Sequence, residues 1–299
     1  MKPDSPCSLY LRRLAPSGRK SVASQLKQIK HILEWSGTTE EQPFHLLTYG
    51  EIESIKQTMI DNDKSARTIN LAINAIKGVV KTGFLMDITS DKIWLKVQAV
   101  KSLKTTPSSR GSALATFDVQ QLLLDCSIDK RPIGLRDSAI LAVFLSSGAR
   151  RFELSNFRLD SFSIQEQTIE IKSGKGRKTR CQNLPSWVTP YIHAWLRFRG
   201  HGSGFLFNPF RSRIPNPTHQ MSASAIYRVV KSRTKMALEK SSAPHDLRRT
   251  FITQLLRQNV DLSTASKLAG HASLATTQIY DKRGDEVSRE AALSLSFKE

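Results

Sequence analysis

The stretch from Lys101 to Ser112 is polar, basic and rich in Ser, with Pro107 and Gly111 and no apolar period. That is the composition of a linker rather than of a packed element. It falls in a chain of 299 residues, more than one typical core needs and enough for two. The sequence is therefore expected to fold as a first domain over residues 1–100 and a second over 116–284, joined by a linker at 101–115 and followed by a tail at 285–299. Fully extended, about 12 linker residues reach roughly 35 to 40 Å, enough for two domains to grip opposite faces of one partner.

The two halves differ in pattern. In the first, Val22, Leu26, Ile29 and Leu33 form one stripe at the spacing of a helix face. Thr48 and Glu51 make a capping box that opens a helix carrying Ile52, Ile55 and Met59. A third helix is predicted through Ile69, Ile73, Ile76 and Val80, and a shorter fourth from near Ser90, giving a bundle of four or five short helices. The second half opens with a predicted helix at 117–125 and an apolar one ending over Ile140 to Leu145, interrupted by Ser146, Ser147 and Gly148, with Arg150 starting the next short helix. Between 161 and 184, short alternating runs separated by turn residues predict a small antiparallel sheet. Helices return at about 187–198, 222–238, 245–258, 263–269 and 273–281. The fold class is mainly α with a small antiparallel β-sheet.

Charge indicates the partner. Lys and Arg number 45 against 26 Asp and Glu, a net +19, which is the electrostatic footprint of a polyanion-binding protein. Residues 1–105 hold 16 basic and 10 acidic side chains, or +6, and residues 106–299 hold 29 and 16, or +13. Both halves are expected to touch the polyanion, the second more heavily. No apolar run approaches the roughly 18 residues of a membrane span, and the start of the chain lacks the pattern of a signal peptide. Cys7, Cys126 and Cys181 are odd in number and far apart, so reduced thiols in a cytoplasmic protein are expected rather than a disulfide framework or a zinc site.

Phosphoryl transfer with metals needs clustered carboxylates, whereas the acidic residues of the second half are scattered among basic ones and no P-loop is present. Four groups offer positive charge and histidine instead. Arg150 lies three residues before Glu153, which could hold it while its guanidinium forks onto phosphate oxygens; such pairs are usually solvated helix faces. Lys175, Arg177, Lys178 and Arg180 crowd a turn between strands with no acid nearby, either a lysine presented into a DNA groove or a plain basic turn. His245 and Arg248 share a helix face, with Arg249 about 100° away; that pattern also occurs on ordinary polar faces. Gly270 is a helix stop and Ser273 an N-cap, so His271 sits in a tight connection and Tyr280 near the end of the following helix, where a tyrosine is most often a packing residue.

Taken in order, Gly148-Ala149-Arg150-Arg151-Phe152-Glu153-Leu154, Gly174-Lys175-Gly176, Pro244 to Thr250, and Leu268-Ala269-Gly270-His271 with Tyr280 nine residues on resemble the conserved boxes of the tyrosine recombinase, or phage integrase, family. The resemblance covers about 115–285; the first domain is similar in size and helix pattern only. It implies a helical core-binding domain followed by a DNA breaking-rejoining catalytic domain, together a C-shaped clamp. It implies Arg150, Lys175, His245, Arg248 and His271 as the activating set, Tyr280 as nucleophile, Glu153 as support for Arg150, and Arg177, Lys178, Arg180 and Arg249 as DNA-binding residues. Arg151 and Phe152 depart from the family's usual apolar-then-small pair.

The implied reaction is site-specific recombination without a cofactor or metal. Tyr280 attacks a DNA phosphate to give a 3′-phosphotyrosyl link and a free 5′-hydroxyl, two arginines offset phosphate charge, and Lys175 protonates the leaving oxygen. The implied partners are double-stranded DNA bearing recombination sites and three further copies of the chain, which exchange strands through a Holliday junction, with room for accessory DNA-bending proteins. A mobile element or replicon resolution is the expected setting, with no arm-binding domain. The tail at 285–297 is amphipathic and is expected either to dock on a neighbouring protomer or to pack on its own domain. The rivals are a type IB topoisomerase, which the Gly-His turn before Tyr280 fits less well, a non-catalytic DNA-binding protein, and a metal-dependent nuclease or transposase.

Overall fold

The computed structural model describes residues 4–105, 111–172, 179–210, 215–271, 273–281, 289 and 292–293. The chain divides into two compact units, 1–109 and 110–299. Within the first, α1 (Pro6–Arg13), α2 (Pro16–Ile32), α3 (Tyr49–Asp61) and α5 (Asp91–Gln98) surround α4 (Ala66–Phe84). The central helix buries Ile69, Ala72, Ile73, Ala75, Ile76, Val79 and Val80, more than one face, as a helix with neighbours on several sides must. Leu26 and Ile29 of the predicted stripe are fully buried, with Val22 and Leu33 at its edges. The Thr48–Glu51 capping box forms in both directions, and Ser90 caps α5 through the backbone N–H of Ile93.

The segment expected as linker is fastened at both ends. The Leu103 backbone N–H donates to Asn70 Oδ1 at 2.8 Å, and Asn70 Nδ2 donates to the Leu103 carbonyl at 2.9 Å. Lys56 and Lys77 reach the carbonyls of Lys101 and Val100. On the other side Leu114 is buried and its N–H donates to Thr250 Oγ1 at 2.8 Å. Composition alone hides these anchors, because Asn70 and Thr250 lie far away in sequence.

The second unit is built around α7 (Pro132–Ser147), which is buried along almost its whole length against α6 (Thr116–Ile128) and α9 (Thr189–Arg199). It runs through Ser146 and Ser147, where the sequence pattern predicts an interruption; both hydroxyls donate back to the Val143 carbonyl, so they satisfy themselves inside the helix. After α8 (Arg151–Ser155) come β1 (Phe162–Ser163), β2 (Thr168–Ile171) and β3 (Arg180–Asn183), an antiparallel sheet in the order β1-β2-β3. The register pairs Ile169 with Gln182 and Ile171 with Arg180. Ile169, Ile171 and Gln182 are buried while Cys181 is exposed, so strand alternation turns Arg180 toward the protein.

Then follow α10 (Ala223–Leu238), α11 (Pro244–Arg257), α12 (Leu262–Ala269) and α13 (Leu274–Gln278). Arg233 on α10 bonds Asp137 on α7 at 2.9 Å and Asp129 at 3.0 Å, a buried ion cluster that fixes α10 beside the core. A separate apolar cluster joins Phe251, Ile252 and Leu256 of α11 to Ala265 and Ala269 of α12 and to Tyr280. No described helix is long and apolar enough to cross a membrane. The expected tail at 285–299 lies almost entirely outside the described residues.

Candidate active site

A buried carboxylate organises the first wall of the site. Glu153, 3 % exposed, takes Arg150 Nη1 at 2.9 Å and Arg180 Nη2 at 2.9 Å, and it accepts the Arg150 backbone N–H at 2.8 Å, which makes it the capping acid of α8. Burial pushes its carboxyl pKa up, but the hydrogen bond from Arg180, the Arg150 N–H and the two positive charges outweigh that and hold it at about 2. Arg150 Nη2 goes on to the Gly270 carbonyl at 2.7 Å. Arg180, expected as a DNA contact, is folded inward here as a forked partner of Glu153, because β3 alternation places it on the same side as Gln182. Gly270 carries a left-handed φ of +65°, and a Cβ there would lie 2.8 Å from Arg180 Nη1. Gly270→Ala is therefore expected to cost about 1 to 2 kcal/mol and to loosen the turn that positions His271; an unchanged melting temperature would contradict this.

The second wall is the start of α11. Pro244 and the Asp246 carboxylate, which accepts the Ala243 N–H at 2.9 Å, open the helix. Arg248, 3 % exposed, donates to the Gly148 carbonyl and, at 2.6 Å, to the Ala269 carbonyl. Burial and then the nearby Arg150 charge lower its pKa to about 10. Gly148 ends α7 at φ +55°, and a Cβ there would meet the Phe251 ring at 2.2 Å. That close approach brings the carbonyl of Gly148 within reach of Arg248. Each of Arg150 and Arg248 thus has two of its five N–H donors engaged by the described residues above.

The third wall carries the phenol. Helix α13 is shorter than expected and ends at Gln278, so Tyr280 lies in the turn beyond it. Its ring is 8 % exposed and its hydroxyl sits 3.3 Å from His245 Nε2. The His271 ring stacks near it, centroids 6.2 Å apart, and Thr277 Oγ1 meets His271 Nδ1 at 2.7 Å. Partial burial, then Arg249 and Arg248, lower the His245 pKa. Burial and the charges of Arg248 and Arg150 bring His271 to about 4. Arg249, expected as a DNA contact, lies over the Tyr280 ring at 5.6 Å and pairs with Asp246 at 3.4 Å. The segment after α12 returns across α11 and covers that face, a long-range fact that helix periodicity cannot supply.

Arg150, His245 and Arg248 line a cavity of about 260 Å³, together with Arg151, Tyr227 and Pro244. Five of the expected activating residues and nucleophile, namely Arg150, His245, Arg248, His271 and Tyr280, thus converge with Glu153 in one place. Lys175, Arg177 and Lys178 lie outside the described residues, between β2 and β3. Sequence reasoning missed Tyr227, far from every box, and Thr277, whose place in the Thr276-Thr277 pair before Tyr280 was a usable signal.

The second unit thus sets a hollow lined by Arg150, His245 and Arg248 beside a phenol whose hydroxyl meets His245 and whose ring lies against that of His271. Residues 113–286 match the phage integrase family. The chain is 28% identical to the tyrosine recombinase XerC of Alcanivorax borkumensis, over 91% of this chain and 87% of that protein. It is 31% identical to the tyrosine recombinase XerA of Pyrococcus furiosus, over 73% and 70%. The structure of a lambda integrase tetramer bound to a Holliday junction superposes with a TM-score of 0.67 at 16% identity, over 94% of this chain and 77% of that one. The chain belongs to the phage integrase family of tyrosine recombinases.

Proposed function

We propose that Tyr280 is the nucleophile of a site-specific DNA recombination reaction, with Arg150, Arg248, His245 and His271 activating the phosphate it attacks. The observation that carries this is the Tyr280 hydroxyl 3.3 Å from His245 Nε2, beside the hollow lined by Arg150 and Arg248. The chain is a site-specific recombinase, an enzyme that cleaves and rejoins DNA. The site residues have these parts in that reaction.

The phenol oxygen forms a bond to phosphorus while the bond to the 5′-oxygen breaks. A histidine with a lowered pKa is neutral at neutral pH, so His245 with its proton on Nδ1 accepts the phenolic proton at Nε2. Arg150 and Arg248 offer their remaining N–H donors to the non-bridging oxygens, whose charge rises in the transition state. They are pre-set by carbonyls and Glu153, so little reorganisation accompanies the reaction. Thr277 Oγ1 lies 2.7 Å from His271 Nδ1; in the tautomer that carries its proton on Nε2, Nδ1 accepts from that hydroxyl and Nε2–H donates to a phosphate oxygen. Lys175 supplies the proton of the departing 5′-hydroxyl. Attack by a partner strand's 5′-hydroxyl reverses these steps, and the phosphodiester energy kept in the 3′-phosphotyrosyl link makes ATP unnecessary.

Four protomers on two DNA sites, a linker at 101–115 between a core-binding and a catalytic domain, and a tail that docks on a neighbouring protomer complete the reading. It is supported by the tetrameric lambda integrase assembly and by the family match. Arg177 and Lys178 join Lys175 as DNA contacts. The direct test is incubation with a pool of nicked duplexes of randomised sequence, which trap a covalent intermediate when the cut end diffuses away. The expected product is a protein–DNA adduct, formed equally well with EDTA, whose DNA-linked peptide contains Tyr280. An adduct on another residue, or cleavage that needs a divalent ion, would overturn the proposal.

A further inference from the structure

We propose that Arg151, set over the Tyr227 ring with Lys231 beside it, grips a DNA backbone phosphate next to the one that Tyr280 attacks. This rests on the recombinase reading and adds a binding group to it. Arg151 is the first residue of α8, one step from Arg150, and its guanidinium carbon lies 5.5 Å from the Tyr227 ring centroid. Lys231, one turn along α10 from Tyr227, places its ammonium 5.7 Å from the same centroid. Both Arg151 and Tyr227 line the cavity that holds Arg150, His245 and Arg248.

The electrostatics of this wall are unbalanced in the free protein. Arg150 shares Glu153 with Arg180 and Arg249 pairs with Asp246, but among the described residues no carboxylate pairs with Arg151 or Lys231. Two cations share one ring and repel each other, an arrangement that an anion between or beside them would relieve. A guanidinium over an aromatic ring keeps its N–H donors free for planar, forked contact with phosphate oxygens, and the ring holds it in place so that less side-chain freedom is lost on binding. Tyr227 is itself held, because α10 is fixed to α7 through Arg233 and Asp137. Arg151 lines the same cavity as Arg150 and Arg248, so a strand whose reacting phosphate lies on those two arginines brings an adjoining phosphate within reach of Arg151.

The test uses the full-length protein and a short duplex of random sequence, with affinity measured across a range of salt. Arg151→Ala is expected to lower the slope of log affinity against log salt by about one, as loss of one phosphate contact does, and to weaken binding about 5- to 10-fold near physiological salt. Tyr227→Leu should reproduce that loss, Tyr227→Phe should not, and the double variant Arg151→Ala/Tyr227→Leu should lose no more than either single change. In adduct formation the half-saturating DNA concentration should rise while the limiting rate holds. An unchanged salt slope for Arg151→Ala, or losses that multiply in the double variant, overturns the proposal. Should Tyr227→Leu fail to fold, Arg151→Gln decides by the same slope. Binding is read without any cleavage, so absence of a covalent adduct would sink the recombinase reading separately.

Discussion

A Tyr280→Phe protein is expected to fold, to bind DNA with unchanged affinity, and to form no covalent adduct. Among the described residues the hydroxyl hydrogen-bonded to His245 Nε2 is that of Tyr280, and removing the proposed nucleophile is among the costliest single changes an enzyme can suffer, here a fall of more than about 10⁴-fold in adduct formation. Packing is spared because Phe keeps the ring that lies among Phe251, Ile252, Leu256 and Ala269 and beneath Arg249. The one hydrogen bond lost is the 3.3 Å contact to His245, worth at most about 1 kcal/mol net. Melting temperature, salt-dependent affinity and gel-resolved adduct yield separate these outcomes. Adduct formation at wild-type level would remove Tyr280 from its assigned part, and a collapsed fold would show the hydroxyl to be structural.

The helices of both units were legible because apolar spacing, caps and stops are local. Thr48 with Glu51, Ser90 and Gly270 mark their boundaries by chemistry that acts within one turn. The gathering of Arg150, His245, Arg248, His271 and Tyr280 was legible only through the order and spacing of whole boxes, since each residue by itself has an ordinary use. The contacts that Arg180 and Arg249 make within the protein differ in how far the sequence foretold them. For Arg180 the signal was present: it alternates with Gln182 opposite the apolar Ile169 and Ile171, so the strand pattern pointed it inward. For Arg249 no local pattern could serve, because what covers it is Tyr280 returning from beyond α12. The fastening of Leu103 and Leu114 is of the same non-local kind. So is Tyr227, which meets Arg151 only once α8 and α10 have packed together.

The arginine framework depends on Glu153, and acid should reveal it. Its carboxyl pKa is depressed from 4.5 to about 2 in the folded protein, so the unfolded chain takes up this proton at a higher pH than the folded one. The stabilisation from this group is fully present above pH 4.5 and is lost as pH falls toward about 2, a contribution on the order of 3 kcal/mol. Glu153→Ala removes the partner of two guanidiniums, one of them Arg180 at 15 % exposure, and leaves buried charge uncompensated. The expected loss at neutral pH is about 3 to 5 kcal/mol. Glu153→Gln keeps the shape and some hydrogen bonds, so its loss should be smaller and, lacking a titrating group, should not grow on acidification. Urea unfolding of wild type and Glu153→Gln should therefore differ most near neutral pH and converge between pH 4.5 and about 2. A gap that stays constant through that interval would mean that Glu153 is not held ionised by Arg150 and Arg180. Adduct formation adds a readout that packing alone would not move. With Glu153 neutral, Arg150 keeps its Gly270 contact but loses its charged anchor, so the limiting rate should fall by about 10- to 100-fold while the half-saturating DNA concentration changes little.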